Sequence, residues 1–149
     1  NKPLKQPHQS AKAAKIPAAG KKEKIAYRTA FNLLKEGRYA QSISAFEKFM
    51  KTYPNSSYAD NAQYWLGEAN YVSRKYRSAL REFKRVIEGH PDSPKIGDAM
   101  LKLGFTYYEL KQYGKSRKML EKVVRQFPKS TVSRLAQTRL NRMKTAGKK

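Results

Sequence analysis

Residues 76–93 read YRSALREFKRVIEGHPDS, and the same pattern stands at 39–56 (YAQSISAFEKFMKTYPNS) and at 113–130 (YGKSRKMLEKVVRQFPKS). Tyr39, Tyr76 and Tyr113 are spaced by 37 residues, and so are Pro54, Pro91 and Pro128. Phe46, Phe83 and Leu120 keep the step, as do Ser42, Ala79 and Ser116 and, upstream, Ala30, Gly67 and Gly104. Five columns sharing one period identify an internal repeat, and a period in this range belongs to a solenoid or an array.

Each repeat reads as two helices, because apolar residues recur at helical spacing while prolines fall between the periodic stretches. The helices are expected at about 23–35 and 39–52, 58–72 and 76–88, and 94–110 and 113–126, with a last one at about 132–143. The turns inside the pairs fall at Gly37, at Ser73-Arg74-Lys75 and at Lys111-Gln112. Gly67 and Gly104 cost about 1 kcal/mol each in a helix interior relative to alanine. Close approach of a partner helix at Ala79 and Ser116 offsets that cost, with Phe46, Phe83 and Leu120 filling the space beside it. At the junctions, proline stops one helix, and Ser56, Ser93 and Ser130 are placed to cap the next. Pro94 suits a first helical position. The last helix carries Leu135, Leu140 and Met143 on one face and Arg134, Arg139 and Arg142 elsewhere, as a terminal cap does. The fold class is therefore all-α: a solenoid of three antiparallel helix pairs (about 23–54, 58–91 and 94–128) and a C-terminal capping helix (about 131–145).

Residues 1–22 differ in kind. Pro3, Pro7 and Pro17 interrupt any helix, and Leu4 and Ile16 are the only large aliphatics. Such a segment cannot offset its ordering entropy and reads as a disordered basic linker; a phosphate-gripping arm is the alternative. The 149 residues suit one folded domain. The start at Asn1 rather than methionine fits a processed chain or an excised fragment. No apolar run approaches the ~18 residues of a membrane span. The 33 basic and 11 acidic residues give a net charge of +22, which attracts any polyanion at long range. The charge is spread along the chain, so a solvated surface explains it without a dedicated ligand.

The Gly/Ala, Ala/Ser, Phe/Leu and Pro columns resemble the tetratricopeptide consensus, stretched by about three residues at each junction. Ala62-Gln63-Tyr64-Trp65-Leu66-Gly67-Glu68, the repeated aromatic-Pro-x-Ser junction, and Asp98-Ala99-Met100-Leu101-Lys102-Leu103-Gly104 are similar to the C-terminal domain of the CpoB (YbgF) family. This is the periplasmic cell-division coordinator family of the Tol–Pal system. The resemblance spans about Ile25 to Leu140, and envelope lipoproteins of outer-membrane assembly have similar junctions. It implies a periplasmic scaffold that binds a TolA-like segment, touches peptidoglycan synthases and couples wall synthesis to outer-membrane constriction. It also implies a trimer through an N-terminal coiled coil; residues 1–22 hold no heptads, so that segment is absent here.

Carrying over the family's groove positions gives one face per repeat, which helical spacing supports. That face holds Lys24, Tyr27, Phe31 and Leu34 in the first repeat, then Asn61, Tyr64, Glu68 and Tyr71, then Asp98, Leu101, Phe105 and Tyr108. Tyrosine supplies contact area and a hydrogen-bonding tip at low entropic cost. Asn61 is placed to clamp a peptide amide, and Glu68 and Asp98 to meet a basic side chain; core packing is the competing role for the rings. Trp65 is expected between repeats. No enzyme is expected. His90-Pro91-Asp92-Ser93 lacks the spatial convergence of a triad, and His90 occupies the aromatic column of Tyr53 and Phe127. With His8 and His90 far apart and no cysteine, neither metal nor cofactor is expected. The remaining rivals are an outer-membrane assembly scaffold, or a basic repeat protein that binds nucleic acid or anionic lipid without base-reading motifs.

Overall fold

A computed structural model describes residues 20–148, which form seven helices. These are α1 (Lys21–Lys35), α2 (Tyr39–Thr52), α3 (Ala59–Val72), α4 (Tyr76–Gly89), α5 (Ile96–Glu109), α6 (Tyr113–Gln126) and α7 (Thr131–Thr145). Each helix packs on the next, and α1, α3, α5 and α7 also touch in sequence as the first helices of successive pairs. The result is an all-α tetratricopeptide solenoid. α1 begins at Lys21, two residues inside the segment expected as linker, with Gly20 at its N-cap; residues 1–19 lie outside the described residues.

The small-residue columns show why the pairs close. A Cβ added at Gly67 would lie 2.6 Å from Phe83 Cε1, and one at Gly104 2.5 Å from Leu120 Cδ2. The partner helix is also tied to the first helix's backbone. Ser42 Oγ donates to the Ala30 carbonyl at 2.9 Å, and Ser116 Oγ to the Gly104 carbonyl at 2.8 Å. Ala79, the middle member of that column, has no hydroxyl to do the same. Tyr27, Phe31, Phe46, Phe49, Phe83, Val86, Leu120 and Val123 are fully buried around these contacts. One buried acid joins the second pair: Glu82 accepts from Gln63 Nε2 and pairs with Arg85 at 3.1 Å. Burial raises its carboxyl above the usual range, and Arg85 pulls it partly back.

The turns inside the pairs share one geometry. Gly37, Arg74 and Lys111 all have positive φ, at 79°, 62° and 62°. In each turn the next amide reaches back to the helix: Arg38 N to Leu33 O, Lys75 N to Asn70 O and Gln112 N to Tyr107 O, all at 2.9 Å. This is the left-handed helix stop that glycine favours. A side chain there costs about 1–2 kcal/mol. Arg74→Gly and Lys111→Gly should therefore each stabilise the fold by about 1 kcal/mol, a rise of about 3–4 °C in Tm by calorimetry. Unchanged or lower Tm in both variants would show that these turns carry no strain.

The junction serines work differently from a simple cap at two of three sites. Ser130 Oγ accepts from Ser133 N at 3.0 Å, as an N-cap does. Ser56 and Ser93 accept from Tyr58 N and Lys95 N, two residues on, inside a turn that precedes the helix. Pro94 therefore sits in that turn and not at a first helical position, since α5 starts at Ile96. Ser93 Oγ also donates to Asp60 Oδ2 at 2.5 Å, which clasps one junction to the start of the preceding repeat.

Candidate partner-binding groove

The first helices of the pairs line one face, where they enclose a cavity of about 790 Å³. Of the expected positions, Leu34, Tyr64, Glu68, Tyr71, Asp98, Leu101 and Phe105 line it. Tyr64 and Leu101 show it only their edges, being 4% and 3% exposed. Tyr27 and Phe31 do not reach it: Tyr27 stacks on Tyr58 at 4.6 Å and Phe31 meets Trp65 edge-on at 5.1 Å. Asn61, expected to clamp a peptide, is fully buried, because every residue from Ala59 to Gly67 is covered by the neighbouring helices. Tyr108 stands at the margin against Tyr113, 5.2 Å between rings. Burial pushes the Tyr64 and Tyr71 hydroxyls well above their usual pKa, so both stay protonated donors.

The groove is charged as well as aromatic. Lys102 Nζ bridges α5 to α3 through Glu68 Oε1 at 3.0 Å, so Glu68 is already matched by a cation of its own chain. The same ammonium lies 4.4 Å from the Tyr71 ring centre. Outside the lining, Lys95, 5% exposed, sits 4.7 Å from Trp65 and 4.8 Å from Tyr64. Such desolvated cation–π contacts are worth about 2 kcal/mol.

The fourth wall was not anticipated. α7 contributes Thr131, Arg134, Leu135, Thr138, Arg139 and Arg142 to the lining. The signal was present in the repeat. One further step of 37 carries Asn61–Asp98 to Leu135, Tyr64–Leu101 to Thr138 and Glu68–Phe105 to Arg142. The capping helix is thus the first helix of a pair that is not completed within the described residues. Trp65, expected between repeats, packs there and lines the groove as well. A second cavity, about 410 Å³, lies between the junctions at Pro54–Ser57 and Gly89–Ser93. Its Ser93 hydroxyl is committed to Asp60. Among the described residues no three His, Cys, Asp or Glu side chains gather as a metal site would require, and no helix is long and apolar enough to cross a membrane.

A family model described as YfiO, outer membrane lipoprotein, matches residues 19–146. The chain belongs to the YfiO outer membrane lipoprotein family. Among curated relatives, the cell division coordinator CpoB of Pseudomonas putida is 50% identical over 54 residues, which are 36% of this chain and 20% of that protein. CpoB of Escherichia coli K12 is 44% identical over 46 residues, 30% of this chain and 18% of that protein. The YfiO-family chain thus matches about a fifth of the length of these relatives, and the resemblance to the tetratricopeptide domain of CpoB holds over that stretch. The first tetratricopeptide domain of Spaghetti (RPAP3), bound to the HSP90 peptide SRMEEVD, superposes with a TM-score of 0.70 at 17% identity, covering 88% of this chain and 97% of that one. That likeness shows the tetratricopeptide fold.

Proposed function

We propose that this chain is a non-catalytic protein-interaction scaffold of the bacterial periplasm. Its groove holds a TolA-like partner segment, and the complex coordinates envelope constriction with peptidoglycan synthesis during division. The observation that carries this reading is the groove itself: a cavity of about 790 Å³ floored by Tyr64, Trp65 and Leu101 and rimmed by Tyr71 and Phe105. It has the concavity and the mixed aromatic and polar lining that suit a peptide strand or an amphipathic helix. The CpoB relatives are named cell division coordinators, which supports the division role. A second reading, a scaffold of outer-membrane assembly, is favoured by the family match across residues 19–146.

The test is capture from solubilised envelope at ~150 mM salt, which screens most exposed charge. Tyr71→Ala/Phe105→Ala should lower retention of the partner at least tenfold, the loss of about 1.4 kcal/mol or more that two interface aromatics carry. Both side chains are half-buried at the rim, so circular dichroism should show the helices intact. A TolA-like protein lost by the variant supports the division scaffold. An outer-membrane assembly protein lost by it supports the second reading. Equal retention by both chains would remove the groove from the function.

A further inference from the structure

We propose that the groove selects an acidic segment of its partner, with carboxylate side chains set against α7 and α5 and apolar side chains on the aromatic floor. This rests on the reading of the groove as the partner site and adds the chemistry of what enters it.

The first observation is the charge of the lining. Lys35 on α1, Lys102 on α5, and Arg134, Arg139 and Arg142 on α7 face two carboxylates, Glu68 and Asp98. Lys102 meets Glu68 at 3.0 Å. A basic segment would have to break that pair and then lie beside the remaining cations, while an acidic one meets complementary charge along the whole α7 wall.

The second observation is Arg139. Its guanidinium is held 4.2 Å from the Phe105 ring centre and 4.9 Å from that of Tyr108. The two rings hold the guanidinium in place before any ligand arrives. Its Nη1 is buried with no hydrogen-bond partner among the described residues. A buried donor left without an acceptor is costly. A carboxylate in the groove can accept two parallel N–H bonds from a guanidinium.

The third observation concerns occupants. Residues 1–19 of this chain carry Lys2, Lys5, Lys12 and Lys15 and no acid, and a second copy brings a net charge of +22. Charge repels both from this groove. Several cations spread over three helices call for several acidic side chains in one segment, where a single terminal carboxylate would meet only one of them. Nucleic acid needs open aromatic faces for its bases. Here Lys102 lies over Tyr71, and Arg139 over Phe105 and Tyr108.

The experiment is fluorescence anisotropy with the full chain at ~150 mM salt. Three labelled probes are compared: a peptide of alternating glutamate and leucine, its glutamine counterpart, and oligothymidylate of similar length. The glutamate peptide should bind at least ten times more tightly than the glutamine peptide. Arg139→Gln and the more exposed Arg142→Gln should each weaken it about tenfold, as loss of a charged hydrogen bond implies. Arg81→Gln/Lys84→Gln, which removes two charges from exposed positions of α4, should change it less than twofold. If both peptides bind alike and Tyr71→Ala weakens both, the groove stands and its acidic selectivity falls. If the α4 variant weakens binding as much as the α7 variants, general charge is responsible and the groove reading falls too. Failure of the glutamate peptide to bind, or tighter binding of oligothymidylate, overturns the proposal.

Discussion

Gly67→Leu is expected to unfold the middle repeat, with a loss of at least about 3 kcal/mol in urea denaturation followed by circular dichroism. The first added carbon already lies 2.6 Å and 2.7 Å from two atoms of the Phe83 ring. That ring is fully buried and meets Tyr64 at 5.7 Å between centres, so it has no free space to move into. The remaining leucine carbons then force α3 and α4 apart. The better helix propensity of leucine returns only about 1 kcal/mol. Gly89→Leu is the internal control: a Cβ there meets nothing within 4 Å, and its stability should stay within about 0.5 kcal/mol of wild type. Wild-type stability in Gly67→Leu would refute the close-packed column.

Ending the chain after Ser130 is expected to cost on the order of 5 kcal/mol. α7 buries Ala136 and Met143 and half-buries Val132, Leu135 and Leu140 against α6 and α5. Domains of this size hold only about 5–15 kcal/mol in total. In a solenoid each unit leans on its neighbour, so the damage should start at the third repeat. Amide hydrogen exchange should show α5 and α6 losing protection well before α1 and α2. Uniform loss across all helices would mean the array melts as one unit, and unchanged protection of α6 would show that α7 is not its cap.

Much of this was legible in the sequence because the repeat supplies its own alignment. The bounds of α2 and α6 follow from the Tyr column at their start and the Pro column just past their end. α5 starts later than the Pro94 position suggested, because Ser93 winds a turn before the helix, and a serine reads alike as a turn and as a cap. The groove was only partly legible. Helical spacing finds the face of a helix but not how much of it the neighbours cover. Tyr27, Phe31 and Asn61 lie on the right face and are covered. Arg139 escaped because α7 read as a cap. Its place in the column of Trp65 and Lys102 shows only when the count of 37 is carried past the last complete pair.

That α7 is at once the lid of the core and a wall of the groove links occupancy to folding by mass action. A ligand seated against Arg139 and Arg142 binds only the folded chain, and at a hundred times its Kd it adds about 2.7 kcal/mol to stability. The melting temperature of this protein is therefore itself a gauge of what fills the groove, and a thermal scan across candidate segments would rank them without a label on either molecule.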